Sequence, residues 1–267
     1  MPERDTLSVT IITLNEQDNI RACLESVAWA DEVVVVDSFS TDETVAICRE
    51  YTDRVIQRKW PGFLKQKQFA HEQAGGDWIL NLDADERLSP EAAEEIQAKV
   101  LQGACGADGF SFPRKSFYLN RWIRHGGWFP DYKLRLVRRS RGRWSGGNLH
   151  EKLVADGEAV CLNGPILHYV YRDIAHQLTT IDSFSKVAAR ELYLKGKRFH
   201  LALLLCRPLI RFLEMYVWKR GVLDGMAGLV IAVLSSYYVF LKYAKLWEMQ
   251  KLKGAGPLPE GQRSEQP

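Results

Sequence analysis

Four short apolar runs, each leading into helical periodicity, constrain this chain more than any other feature. Ser8 to Leu14 (SVTIITL) is apolar and β-branched, and Glu32 to Asp37 (EVVVVD) carries four valines. Arg54 to Lys59 (RVIQRK) is more polar, and Trp78 to Leu82 within DWILNLDADER is again almost continuously apolar. Unbroken apolar runs belong to strands covered on both faces, as in a parallel sheet. Between them Ile20, Cys23, Leu24 and Val27 fall at helical spacing. A second helix runs to about Tyr51, with Ser40 or Thr41 as its N-cap, and a third covers Phe63 to Ala74 before Gly75-Gly76. This alternation predicts right-handed crossovers in a parallel α/β sheet, with the polar third strand nearest an edge.

In such a sheet, ligands sit beyond the carboxyl ends of the strands. No G-x-G-x-x-G follows the first run, which disfavours a dinucleotide site, and the absence of G-x-x-x-x-G-K-[ST] excludes a P-loop. The strand ends carry acids and amides instead: Asn15, Glu16, Asp37, Asp83 and Asp85. Two carboxylates one residue apart, Asp83 and Asp85, suit a hard divalent cation, Mg²⁺ or Mn²⁺, that also contacts substrate phosphates. The bland alternative is a solvated acidic turn before a helix starting near Ser89-Pro90.

TLNEQDN after the first strand, VVVVDSFSTDET after the second, a lysine-bearing helix and LNLDADE match in order and spacing over about residues 7 to 90. In these motifs the chain resembles the family 2 inverting glycosyltransferases. The resemblance implies a GT-A type fold, a Rossmann-like, mostly parallel nucleotide-sugar domain. It also implies roles. Asp37 holds the base, Asp83 lies by the ribose and Asp85 binds the metal. Thr13, Asn15 and Glu16 line the nucleotide site, and Lys67 faces the diphosphate. The residues alone mark the same acids but assign neither base nor ribose.

The second half supplies acceptor-side candidates. Gly109 to Leu119 alternates like a half-exposed strand, and Trp122, Trp128 and Phe129 sit among Arg121, Arg124 and His125. This suits sugar faces and phosphates, and equally an ordinary aromatic cluster. Lys133 to Arg139 (KLRLVRR) alternates basic and apolar residues, so one face is expected in the core and the other to be positive. Trp144 to Glu151 reads WSGGNLHE. An inverting transfer needs a base beside the acceptor hydroxyl. Because a related branch of the family carries an H-E pair here, the resemblance makes Glu151 that base and His150 its orienting or phosphate-contacting neighbour. A strand-end glutamate bonded to an arginine is the alternative. His168 is either a further metal ligand or a satisfied core histidine.

The C-terminal third differs in kind. Asp173 to Leu194 reads as an amphipathic helix, and Leu201 to Trp218 mixes apolar residues with Arg207 and Arg211 ahead of Lys219 and Arg220. Such a helix suits an anionic membrane surface. Gly225 to Leu241 has 17 uncharged residues, at the lower edge of what spans a bilayer. It is expected to lie on the membrane rather than cross it; a helix packed on the catalytic domain is the alternative. The formal net charge of +3 is too small to argue for nucleic acid. Five scattered cysteines without a C-x-x-C, and an N-terminus without an apolar signal, suit reduced thiols in the cytoplasm.

The expected organisation is a catalytic domain over 1–172, with a nucleotide-sugar half (7–100) and an acceptor half (101–172). A membrane-associating helical region (173–252) and a disordered tail (253–267) follow. Over its whole length the chain most resembles bacterial lipopolysaccharide inner-core β-glucosyltransferases. That resemblance implies a nucleoside-diphosphate sugar donor, UDP-glucose, a core heptose or other lipid-linked acceptor, and a peripheral position on the cytoplasmic face of the inner membrane. Transfer to polyprenyl phosphate or another envelope glycan is the alternative among enzymes. A non-catalytic nucleotide-sugar-binding membrane protein is the alternative from another class, and the full set of Asp37, Asp83, Asp85 and Glu151 argues against it.

Overall fold

The computed structural model describes residues 4–102, 106–146 and 151–253. It divides into two compact units. Among the described residues, one holds those up to Arg124 together with Trp128–Val170. The other holds His125–Gly127 and everything from Tyr171.

The first unit is built on one curled, mixed sheet. Strands β1 (Leu7–Thr13), β2 (Glu32–Asp37), β3 (Val55–Gln57) and β4 (Trp78–Asp83) run parallel in the order β3-β2-β1-β4. Helices α1 (Ile20–Ser26), α2 (Thr44–Arg49) and α3 (Phe63–Gln73) lie between them in the chain. Every residue of β1 is buried, which is why its sequence shows no alternation. Leu7, Val9 and Ile11 join Leu80, Leu82 and Phe110 in the main core, while Ile12 turns the other way, to Val36 and Ala70 of α3. The polar third run is an edge strand, as its composition implies. The α2 start differs from expectation: neither Ser40 nor Thr41 caps it. Asp42 accepts from the Thr44 amide at 3.0 Å, while Ser40 and Thr41 are drawn to the loop after β1.

Beyond β4 the sheet changes direction. After the Asp83–Asp85 turn come the short β5 (Glu86–Leu88) and α4 (Pro90–Glu95), which Ser89 caps by accepting from the Ala92 amide. Then follow β6 (Gly109–Tyr118), β7 (Arg121–Trp122) and β8 (Asp131–Arg138). Strand β8 lies between β4 and β6, antiparallel to both. A hairpin of β9 (Gly142–Ser145) and β10 (Lys152–Ala155), then β11 (Ala159–Cys161) and β12 (Ile166–His168), complete the unit. Strand β12 runs between β6 and β5, and this brings His168 opposite Glu86.

The second unit is helical. Helix α5 (Ile174–Leu194) is capped by Asp173, which accepts from the His176 amide at 2.7 Å. Helix α6 (Leu201–Leu213) runs into a wider turn at Glu214–Trp218, and a tight turn at Gly221–Asp224 precedes α7 (Gly225–Lys253). Helix α7 packs against both α5 and α6. Lys245 of α7 donates to Asp182 and to Ser185 of α5.

Candidate functional site

The carboxyl ends of β1 and β2 are laced together by short polar side chains. Asn15 takes a left-handed backbone, φ 54°, which asparagine tolerates better than most residues. Its amide donates to Ser40 Oγ and its side-chain oxygen accepts from the Thr41 amide, both at 2.8 Å. Glu16 caps α1 through its carbonyl, its amide donates to Thr44 Oγ1, and its carboxylate accepts from Asn19. Asp37 is fully buried and accepts from the Ser40 amide and from Gln57 Nε2. Two neighbouring buried oxygens, Thr13 Oγ1 and Gln66 Oε1, have no hydrogen-bond partner among the described residues. Buried polar atoms are almost always satisfied by protein or by water, so both oxygens have capacity for a further partner.

The β4 end carries the densest charge. Asp83 Oδ1 lies 2.8 Å from Lys67 Nζ, and Oδ2 lies 2.8 Å from the guanidinium of Arg135. Burial alone would raise the Asp83 pKa, but Lys67 and Arg135 outweigh it and hold the carboxyl well below the usual range. Arg135 also reaches Glu86 at 2.6 Å, and Glu86 accepts from the Asp83 amide. Glu86 thus closes the turn that presents Asp83 and Asp85. Asp85 points to the other side, with Oδ2 3.2 Å from His168 Nε2, while Ser116 Oγ is 3.5 Å from His168 Nδ1. Lys67 is the hinge of the arrangement. It is nearly buried, lies over the Trp144 ring at 4.9 Å, and is 3.7 Å from Glu151.

The sequence candidates therefore fall into three clusters. Thr13, Asn15, Glu16 and Asp37 gather at the β1–β2 end. Lys67, Asp83 and Glu151 meet through the lysine, and Asp85 meets His168. His150 lies outside the described residues. Glu151 contacts a lysine, not the arginine of the bland reading.

Sequence reasoning missed Arg135, Glu86, Gln57 and Gln66. Strand KLRLVRR was expected to turn its basic face outward, but Arg135 is buried. Its signal is register: Arg135 lies beside Asn81, whose side-chain amide donates to the Arg135 carbonyl, so its side chain shares a face with Asp83. Trp144 was visible in its motif, but not its bond to Asn81 at 3.2 Å.

Among the described residues no group of three or more His, Cys, Asp or Glu side chains could hold a metal ion. Asp85 and His168 do converge as a two-donor set. A cation that keeps water and substrate phosphate in its shell needs no more than one or two protein ligands, so the residues fit a cation shared with a diphosphate.

Comparison with known proteins agrees with this geometry. The family model described as glycosyl transferase family 2 matches residues 8–153. The lipopolysaccharide core biosynthesis glycosyltransferase LpsC of Rhizobium meliloti is 32% identical over 260 residues, covering 92% of this chain and 94% of its own length. An uncharacterized glycosyltransferase of Rickettsia typhi is 30% identical over 91% of this chain and 87% of its own. In structure, the mannosyltransferase PcManGT of Pyrobaculum calidifontis, solved with GDP-Man and Mn²⁺, superposes with a TM-score of 0.53 at 14% identity, over 92% of this chain and 88% of that one. Its likeness is one of fold, the GT-A fold. Strand ends that carry acids in place of glycine loops, on this sheet and with these relatives, identify the chain as a glycosyltransferase belonging to glycosyl transferase family 2.

Proposed function

We propose that the chain is an inverting hexosyltransferase that moves glucose from UDP-glucose to a heptose of the lipopolysaccharide inner core, at the cytoplasmic face of the membrane. The observation that carries the chemistry is the lysine bridge. Lys67 draws together Asp83, at the end of β4, and Glu151, which lies 68 positions further along the chain. The similarity to LpsC, whose name assigns it to lipopolysaccharide core biosynthesis, supports the acceptor.

In this reading the nucleoside lies over the β1–β2 end. Thr13 Oγ1 and Gln66 Oε1 gain partners from the base, and Asp37 is held ready by Ser40 and Gln57. Asp83 keeps lone pairs for the ribose, since a carboxylate accepts about four hydrogen bonds and two positions are taken by Lys67 and Arg135. Asp85 and His168 would hold Mg²⁺ or Mn²⁺. Such a cation, when bound, neutralises charge on the departing diphosphate. Lys67 adds a fixed positive charge nearby in a partly dehydrated setting, where it counts for more than in water. Glu151 takes the acceptor hydroxyl proton as that oxygen attacks the anomeric carbon from the face opposite the leaving group. The C1–O bond to the diphosphate breaks, nucleoside diphosphate leaves, and an α-linked donor gives a β product.

The test is release of nucleoside diphosphate from a panel of nucleotide sugars, with heptose-terminated lipopolysaccharide as acceptor, with and without Mg²⁺ or Mn²⁺. Turnover with UDP-glucose that needs metal and disappears in Asp85→Ala and Glu151→Gln supports the proposal. Full turnover in Glu151→Gln would move the base elsewhere. Transfer only to polyprenyl phosphate would replace the acceptor.

A further inference from the structure

The second unit holds apolar side chains outward with unusual firmness. Around the turn from α6 to the start of α7, Trp218 is 84% exposed and Met226 72% exposed, and Val217, Val222 and Leu223 are exposed as well. Helix α6 continues this surface. It buries no residue, and Leu201, Leu205, Leu209 and Leu213, four apart, are all exposed. Spacing of four places them along one stripe of the helix. Apolar patches of this extent on a soluble chain mark interaction sites.

The segment is nevertheless not loose. Asp224 is buried and accepts from the His125 amide at 2.7 Å, with His125 Nδ1 3.2 Å from its other oxygen. The backbones of Gly221 and Gly228 approach so closely that a Cβ on Gly228 would stand 1.9 Å from the Gly221 carbonyl oxygen. Arg220 occupies the left-handed region, φ 55°, to make the turn. Backbone strain and a buried acid thus fix a turn whose large apolar side chains face water. Such cost persists where the outward geometry is the function.

Charge selects the occupant. From Lys195 to Trp247 the chain has nine Lys or Arg and two carboxylates, Glu214 and Asp224, a net charge of 9 − 2 = +7. Both acids are masked. Asp224 is buried, and Glu214 lies 3.0 Å from Arg211 and 2.6 Å from Lys219. Apolar side chains rimmed by a net positive charge, with Arg207 and Arg220 outside the ion pairs to Glu214, fit an anionic lipid surface better than a second copy of the same positive face.

Helix α7 bears on how the unit sits. Gly221–Leu252 is long and apolar enough to cross a membrane, with mean hydropathy 1.6 over the most apolar window. Its far end, however, is tied to charged and polar neighbours: Lys245 to Asp182, and Gln250 to the Phe199 amide and the Lys197 carbonyl. A span would carry the charged helix α5 in with it.

We infer that Trp218, Met226 and the exposed leucines of α6 form a preformed wedge that enters one leaflet of an anionic bilayer, with Arg207 and Arg220 on the headgroups and α7 not spanning. The inference rests on the membrane-facing acceptor proposed above and specifies how the surface is met.

Vesicle flotation of the full chain tests it, using phosphatidylethanolamine with about one part in three phosphatidylglycerol against phosphatidylcholine alone. Flotation with the anionic vesicles, reversed by alkaline carbonate, is expected. Trp218→Asp with Met226→Asp should weaken it roughly tenfold or more, and Arg207→Glu with Arg220→Glu should abolish the preference for anionic lipid. Both double variants should keep the wild-type circular dichroism and turnover of donor on a detergent-free, delipidated acceptor. Equal flotation on both vesicles, resistance to carbonate, or no flotation of a folded chain would overturn the wedge. So would self-association that Trp218→Asp relieves, which would give the surface to a second copy. Flotation reads no chemistry: a floating chain without donor turnover would sink the proposed reaction and leave the wedge standing.

Discussion

Replacing Arg135 with methionine tests whether the buried charge cluster, rather than the acids alone, holds the site. The guanidinium stands 2.8 Å from Asp83 and 2.6 Å from Glu86, and its side chain and that of Glu86 are 7% and 0% exposed. Methionine fills most of the stem volume, so the main loss is charge. Glu86 is then left with Arg114, 3.8 Å away. Breaking a buried pair from one side costs about 3–5 kcal/mol, because the abandoned charge stays buried. At about 2–4 °C per kcal/mol for a unit of this size, the melting temperature should fall by roughly 6–20 °C. Adding Glu86→Gln removes the abandoned charge and should return part of the loss. The pH dependence follows from Asp83, whose native pKa is depressed. A depressed carboxylate stabilises above its unfolded value, about 3.9, and loses that stabilisation as pH falls toward the native value. Arg135 supplies part of this, so the difference between wild type and variant should be greatest near neutrality and shrink below about pH 4. Urea unfolding of the full chain at pH 7 and pH 2, followed by circular dichroism, reads all three. A neutral-pH loss below about 1 kcal/mol, no gain from the second substitution, or a difference independent of pH would refute the reasoning.

Glu151→Gln should lower kcat by about 10²–10⁴ with little change in donor KM, measured by diphosphate release. Lys67→Met should weaken transfer and, by stripping Asp83 of one cation, destabilise the fold by about 2–4 kcal/mol in the same urea assay. Glu95 accepts from the Asn163 and Gly164 amides and its pKa is lowered to about 2. Glu95→Gln should therefore cost about 1–2 kcal/mol at pH 7 and almost nothing below about pH 2, where the carboxylate of the wild type is itself protonated. In a Cys105→Ser background, Cys161 and Cys206 should react with a thiol reagent at once. Cys23 and Cys48, buried with raised pKa values, should react only on unfolding.

What was legible in the sequence was whatever repeats locally. The runs SVTIITL, EVVVVD and WILNL announce buried strands because each residue's neighbours are apolar on both faces, and β1 and β4 are buried almost throughout. The acids Asp37, Asp83 and Asp85 stood out because they end those runs. Arg135 and Glu86 did not, because their meaning lies in pairing. Nothing in KLRLVRR says that β8 runs antiparallel beside β4, and only that register turns Arg135 toward Asp83. Likewise Glu86 reads as one more acid of a solvated turn until β5 pairs with β12 and buries it. The N-cap of α2 failed for a related reason. Ser40 and Thr41 have the right chemistry for a cap, but Asn15, adjacent only in space, claims both.

The pairing pattern also bears on how the site divides its labour. Asp83 and Asp85 are two residues apart, yet their side chains face opposite neighbours, one set among cations and the other beside an imidazole. Two unconstrained carboxylates so close would repel and each lose charge. Here Lys67 and Arg135 absorb the charge of Asp83, so in the proposed reaction Asp85 would meet a cation without competition from its neighbour. The same Lys67 lies near Glu151. One buried lysine thus lies against both acids, and with Asp83 and Glu151 in their proposed roles, substitutions at Lys67 should alter donor binding and the proton-transfer step together. Independent effects of Lys67→Met and Glu151→Gln in a double-mutant cycle would show that the two sides are not coupled through it.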